Sequence, residues 1–382
     1  MPTVQTTHTP KIAFIRPAAY PLPNRVLPEV LKKAFPEYPV EIFDVLDMVK
    51  ARPLTLALNF LAVLWEYGPK IAARHIPLRE AFYTTRYLSK TVQRWITSRV
   101  SRGNYAFTFQ IQSLFDASTG LVPHFVYTDH THLNRLTYPG YDQRKLRPAK
   151  WIEMERAIYR HAAVNFTRSE NISRSLTGEY QISAEKVVFA GVGSNLDTRQ
   201  IEMKNEGYRN QNILFVGIDW ERKGGPELLK AFELVLAKYP AAKLTIVGCS
   251  PEVRLPNCET VGKIPSSEVG RYFQQASIFC LPTKNEPFGV AFIDALYYRL
   301  PIVGTNLGAI PDFVKPGENG YLVEPGEVEG LARALEDLLD DPQKCREFGE
   351  RGYALAQANY SWESVAGKIS LAVRKVLANQ AA

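Results

Sequence analysis

The chain has 382 residues, 46% apolar and 22% charged, which suits a globular protein of two domains and excludes a disordered or fibrous one. Its first apolar run, IAFI, is too short for a secretory leader, and no run reaches the roughly 18 residues that a bilayer span needs. The net charge of +7 is uneven: residues 1–200 hold 26 basic and 16 acidic side chains (+10), leaving 20 and 23 (−3) for the rest. An anionic partner is therefore expected for the first half only. Cys249, Cys258, Cys280 and Cys345 form no C-x-x-C and stand by no His cluster, so reduced thiols in a cytoplasmic protein are expected, not a zinc site.

KIAFIRP, from Lys11, reads as a buried first strand. VEIFDVL, from Val40, reads as a second, after a short helix that includes Val30 to Phe35. From Pro53 to Arg102 the chain reads as long helices. Between Ala51 and Gln110 nine basic residues are opposed only by Glu66 and Glu80, a net of +7. Phe60, Trp65, Tyr67, Phe82, Tyr83, Tyr87 and Trp95 are interleaved with them. Two readings stay open. Helices with Arg/Lys on one side and Trp/Tyr/Leu on the other suit an anionic membrane surface. The same pattern serves a helical pair packed on its own domain with a solvated basic face. No recognition motif accompanies the charge, so nucleic acid is not an expected partner.

YAFTFQ and LVPHFVYTD read as further strands, the second ending in Tyr127-Thr128-Asp129-His130-Thr131-His132. Polar residues after a parallel strand face the ligand crevice of an α/β sheet, and histidine there can donate or accept a hydrogen bond near neutral pH. Trp151 to Arg160 reads as a helix, and AAVNFTRSE as a strand leading to Ser169. The first domain then closes with Gly191 and Gly193 in a tight turn. A polar run over 197–210 reads as the linker. ILFVGID opens a second sheet, and Arg222, Lys223 and Gly224 lead into the next helix; a basic pair before a helix N-terminus can clamp phosphate. AKLTIVG and ETVGKIPSSEVGRYFQQASIFCLPT continue the strand–helix alternation of a parallel doubly wound sheet.

The stretch KNEPFGVAFIDALYYRLPIVGTNLGAIP runs from Lys284 to Pro311. A helix starting near Phe288 would offer free N–H groups and its positive dipole end to a phosphate. Gly289 lets backbone approach a ligand. Glu286 falls on the loop before that turn, and Asp294 about two turns in, on roughly the same face. Two carboxylates beside an anion site suit the hydroxyls of a sugar and a ribose. Read alone, two acids eight apart are better taken as an exposed loop charge, Glu286, and an ordinary helix-surface charge, Asp294; the whole NEPFG context, followed by a strand and a Gly-rich turn, favours the functional reading.

NEPFG with its helix, IVGTNLGAIPDFV and ENGYLVEPGE resemble the Glu-x7-Glu signature of retaining family-4 glycosyltransferases. The resemblance implies the GT-B fold: α/β, two Rossmann-like doubly wound domains facing a cleft, with a helical insert in the first. The implied domains are an acceptor-side domain over 1–200 with a basic and aromatic insert at about 51–102, a nucleotide-sugar-binding domain over 210–360, and a C-terminal helix over 361–382 crossing back to the first. The resemblance puts Glu286 on the sugar hydroxyls, Asp294 on the ribose, and the amides of Phe288, Gly289 and Val290 on the sugar and β-phosphate. Asp294 stands where the family has the longer Glu. Lys223 matches the family's diphosphate lysine. The family's upstream Arg is missing, because Ile218 and Asp219 occupy that zone, and Arg222 is its stand-in. The backbone at Gly262 and Lys263 falls where the family reads the base. His130, within Thr128-Asp129-His130-Thr131, matches the active-site histidine, with His132 in reserve. The usual Gly-Gly turn after the first strand is replaced by RPAAYPLPN, and AGVGSN departs from the usual Asn-Gly-Val-Asp run.

The activity implied is that of a retaining, metal-independent hexosyltransferase. It would move a sugar from a nucleotide-sugar donor to a sugar or lipid-linked acceptor in polysaccharide or glycolipid synthesis, peripheral at the inner face of a membrane. No cofactor and no metal are expected, since no Asp-x-Asp is present and Arg222, Lys223 and helix amides can neutralise a diphosphate. Two alternatives stay open: a transferase acting on a soluble acceptor, and a non-catalytic membrane- or polymer-associated adaptor on the same scaffold. A Rossmann dehydrogenase needs G-x-G-x-x-G after the first strand, and RPAAYP lacks it.

Overall fold

A computed structural model describes residues 9–19, 22–194, 201 and 207–381. KIAFIR forms β1 (Lys11–Arg16), buried at every position after the first. A continuous apolar run of this kind is what a parallel strand covered on both faces requires. The other strands of the sheet are β2 (Val40–Asp44), β3 (Tyr105–Ile111), β4 (His124–Thr128), β5 (Val164–Thr167) and β6 (Val187–Phe189), all parallel in the order β2-β1-β3-β4-β5-β6. Rings from β1, β3 and β5 meet in its core, Phe14 on Phe109 and Phe109 on Phe166 at 6.2 and 5.9 Å. The helices are α1 (Leu22–Ala34), α2 (Val45–Lys50), α3 (Pro53–Ala72), α4 (Leu78–Phe82), α5 (Arg86–Val100), α6 (Ala149–His161) and α7 (Glu170–Gly178). VEIFDVL is therefore strand only as far as Asp44, and its Val45 and Leu46 already belong to α2.

A second parallel sheet consists of β7 (Asn212–Val216), β8 (Lys243–Val247), β9 (Cys258–Gly262), β10 (Ile278–Leu281), β11 (Ile302–Thr305) and β12 (Gly320–Val323), in the order β12-β11-β10-β7-β8-β9. Its helices are α8 (Gly225–Lys238), α9 (Ser266–Gln275), α10 (Val290–Tyr297), α11 (Ile310–Phe313), α12 (Val328–Asp340) and α13 (Pro342–Asn359), followed by α14 (Trp362–Ala381).

The chain divides into two compact units. The first takes the described parts of Met1–Leu136, Gly140–Gly191 and Val365–Ala382; the second takes those of Thr137–Pro139 and Val192–Ser364. Within the first unit Val365, Ile369 and Val373 are buried, and Arg374 pairs with Glu37 at 2.7 Å. The expected linker over 197–210 lies mostly outside the described residues.

Candidate functional site

In the second sheet the chain runs outward from β7 through β8 to β9, then returns to β10 on the other side of β7. Between β7 and β10 the direction of winding reverses, and open α/β sheets bind ligands at the carboxyl ends of such strands. The loops after these two strands carry Arg222 with Lys223, and Glu286 with Gly289. They are stitched together: the Arg222 carbonyl accepts from the Lys284 N–H at 2.8 Å and the Thr283 hydroxyl at 3.1 Å. The Arg222 guanidinium donates to the Asn285 carbonyl at 2.7 Å and to Asp219 at 3.2 Å. Gly224 lets the loops approach this closely, because its φ is +77° and a Cβ would fall 1.9 Å from the Pro282 oxygen.

Lys223 and Glu286, only 9% and 6% exposed, form a direct ion pair across the two loops. The Glu286 carbonyl accepts from the Tyr138 hydroxyl at 3.1 Å. Three residues on, Gly289 caps α10 in a left-handed conformation, φ 94°. The helix therefore begins at Val290, not Phe288, and Asp294 lies about one turn in rather than two. Phe288 is a core residue, its ring edge-on to Phe313 at 5.9 Å, so only its backbone can serve a ligand. Val290 is half-buried at the first helical position. The Asp294 carboxylate is buried and accepts from the Ser194 hydroxyl at 2.6 Å, while the Ser194 carbonyl accepts from the Trp362 indole at 3.2 Å. Gly262 ends β9, two strands from β7, with its carbonyl accepting from the Gly248 N–H at 2.8 Å. Lys263 follows it, exposed and without a polar partner among the described residues. Lys223, the Glu286 loop and the α10 N-terminus thus converge, whereas Gly262 and Lys263 sit further along the same edge.

In the first unit the loop after β4 separates the two histidines. His130 is half-buried and its Nε2 accepts from the Arg135 guanidinium at 3.2 Å. Burial, and then the Arg135 charge, bring its pKa down to about 4. Asp129 beside it pairs with buried Arg168 at 2.9 Å. His132 is buried against Trp151, ring to ring at 5.3 Å, and its Nε2 accepts from the Arg147 N–H at 2.9 Å. Burial, and then Arg147, bring it down to about 2. Glu155 braces the loop from behind. It is 1% exposed, accepts from the Ser113 hydroxyl at 2.7 Å, the His132 N–H at 3.3 Å and the Tyr180 hydroxyl, and burial raises its pKa.

Sequence reasoning missed Tyr138, Ser194, Arg135 and Glu155. The last had a legible signal: an acid four residues after Trp151 and three before Ile158, on the apolar stripe of α6. Tyr138 had none, since its partner lies 148 residues away.

Residues 197–355 match the family described as glycosyl transferases group 1. The match lies in the second half of the chain. The chain is 26% identical over 253 residues to the MMP alpha-(1->4)-mannosyltransferase of Mycolicibacterium hassiacum, covering 63% of this chain and 61% of that one. It is 30% identical over 165 residues to the GDP-mannose-dependent monoacylated alpha-(1-6)-phosphatidylinositol monomannoside mannosyltransferase of Corynebacterium glutamicum, covering 39% and 43%. The chain thus spans less than two thirds of the length of these curated relatives. The sucrose-phosphate synthase structure from Thermosynechococcus elongatus superposes with a TM-score of 0.67 over 97% of this chain and all of the other, at 19% identity. The fold is that of the GT-B glycosyltransferases.

Proposed function

We propose that the protein is a glycosyltransferase that moves a hexose from a nucleotide-sugar donor to an acceptor hydroxyl with retention at the anomeric carbon. The observation that carries this reading is the Lys223–Glu286 pair beside the α10 N-terminus, on the loops where β7 and β10 meet. Lys223 and the free amides at Gly289 and Val290 bind the diphosphate. Glu286 then exchanges part of its contact with Lys223 for a sugar hydroxyl, and Asp294 accepts from the ribose. The acceptor oxygen attacks the anomeric carbon from the face that the diphosphate leaves, and the departing phosphate oxygen takes the acceptor proton. His130, neutral at pH 7, donates or accepts a hydrogen bond at the sugar. Lysine and helix dipole supply the positive charge, so the reaction is proposed to need neither metal nor cofactor. The names of the relatives, a phosphatidylinositol mannoside mannosyltransferase among them, support a sugar or lipid-linked acceptor. The protein would then work peripherally at an anionic membrane, on its cytoplasmic side.

The test is a melting-temperature panel with UDP, GDP and ADP, followed by hydrolysis and transfer assays with the matching sugar nucleotides, with and without EDTA. One diphosphate should raise the melting temperature, and its sugar nucleotide should turn over in EDTA. Binding without turnover on any acceptor would favour the adaptor. No binding at all would sink the reading.

A further inference from the structure

α3 is built inside out. Its 20 residues contain two charged side chains, Glu66 and Lys70, and both are used by the protein. Glu66 accepts from the Arg86 N–H at 3.1 Å, and Lys70 donates to the carbonyls of Leu146 and Arg144 at 2.7 and 3.0 Å. The buried row is Thr55, Asn59, Val63 and Tyr67. Asn59 donates to the Phe82 carbonyl at 2.7 Å and accepts from the Thr85 hydroxyl, and Tyr67 donates to the Thr84 carbonyl at 2.9 Å. The opposite row, Leu54, Leu58, Leu61 and Trp65, is 74, 42, 62 and 86% exposed, flanked by Phe60 and Leu64 at 45 and 51%. Rotation of the helix would hide these side chains only by breaking the bonds of Asn59 and Tyr67 and burying nothing polar in exchange. Six of the thirteen large exposed apolar side chains among the described residues lie on this one helix. A contiguous apolar face of this kind marks an interaction surface.

Charge at the ends of the helix selects the partner. Arg52 precedes the helix. Past its end Arg74 and Arg79 are exposed with no partner among the described residues, and Leu78 between them is 47% exposed. The acids of the region, Glu66 and Glu80, are already engaged with Arg86 and with Arg135 and Arg147. A second copy docked on this face would bring arginine toward arginine with no free acid to answer it. An anionic lipid surface answers both features, because leucine and tryptophan enter the acyl boundary while the arginines reach headgroup phosphates. Among the described residues no helix is long and apolar enough to cross a membrane. We propose that the outward face of α3 is the membrane-seating surface of this protein, inserted lengthwise into an anionic lipid leaflet through Leu54, Leu58, Leu61 and Trp65. This rests on the reading of the first unit as membrane-peripheral, and not on the donor chemistry.

The test uses the full chain and vesicles of phosphatidylcholine with about a third phosphatidylglycerol, by co-sedimentation and tryptophan fluorescence. Wild type should pellet with the vesicles and show a blue shift that Trp65→Phe reduces. Leu61→Ser/Trp65→Ser should weaken binding at least about tenfold, with melting temperature and diphosphate binding unchanged. Arg74→Gln/Arg79→Gln should remove the preference for anionic over neutral vesicles. High salt should weaken wild-type binding without abolishing it, since insertion is not screened. Wild type left in the supernatant at low salt, or a serine variant that binds like wild type, would overturn the proposal. So would a lipid-free dimer that the serine variant converts to monomer. A protein that binds vesicles but no nucleoside diphosphate would leave this surface intact and sink the transferase reading instead.

Discussion

Lys223 and Glu286 neutralise each other where little water reaches them, so neither tolerates losing the other. Removing one partner of a buried pair leaves an uncompensated charge, at about 3–5 kcal/mol, whereas an apolar replacement of both is often near neutral. Lys223→Met should therefore lower the urea midpoint sharply, and Lys223→Met/Glu286→Leu should recover most of the loss. A single variant as stable as wild type would mean that the pair is solvated. Transfer should be lost in both variants. The two histidines should separate in the opposite way. His132→Ala removes a ring packed on Trp151 and strands the Arg147 N–H, a stability loss of about 2 kcal/mol. His130→Ala should leave melting nearly unchanged and lower turnover more than donor affinity. Were His132→Ala the variant with normal stability and lost turnover, the active-site role would pass to it.

The N-terminus of α10 depends on Gly289 at φ 94°, with Glu286 and Phe292 packed around the missing Cβ. Gly289→Ala would put that Cβ 2.8 Å from the Phe292 ring, in a backbone conformation that costs an L-residue about 1–3 kcal/mol. The expected result is a lower melting temperature together with weaker diphosphate binding, because the strain is relieved by moving the amides. Normal diphosphate affinity with a lowered melting temperature would separate the amides from the ligand. The sequence carried the residue but not its conformation, which is why the helix was expected to start at Phe288. What periodicity did carry were the buried parallel strands, such as IAFI and IFCL, and the basic pair before α8. It could not orient α3. Apolar residues surround that helix, and its inward side was chosen by the hydrogen bonds of Asn59 and Tyr67 to residues 82–85, a pairing that local spacing does not encode. The Glu286 loop was legible because its parts are adjacent in sequence. The contacts of Tyr138 with Glu286 and of Ser194 with Asp294 were not, because folding alone brings them there.

At the scale of the whole molecule, three buried or half-buried histidines among the described residues are held neutral. His124 and His130 are brought down to about 4 and His132 to about 2, burial being the largest cause in each. The sign follows from which state binds more protons. With unfolded values near 6.5, the unfolded chain takes up protons on these rings below that pH while the folded chain refuses them. Their contribution to stability is therefore fully present above pH 6.5 and declines as pH falls toward the folded values. Each ring adds a slope of up to about 1.4 kcal/mol per pH unit. Glu155, raised by burial, works the other way and softens the fall at its acid end. Unfolding free energies from urea titrations at pH 7, 6 and 5 should fall increasingly steeply, and His132→Asn should flatten the slope by nearly one proton. A flat profile from pH 7 to 5 would mean that the rings titrate in the fold as they do in water. The same depression keeps His130 uncharged throughout the neutral range. Turnover should then show no inflection near pH 6.5 from this residue, even where His130→Ala lowers it, and such an inflection abolished by His130→Ala would place an ordinary, solvated imidazole at the site.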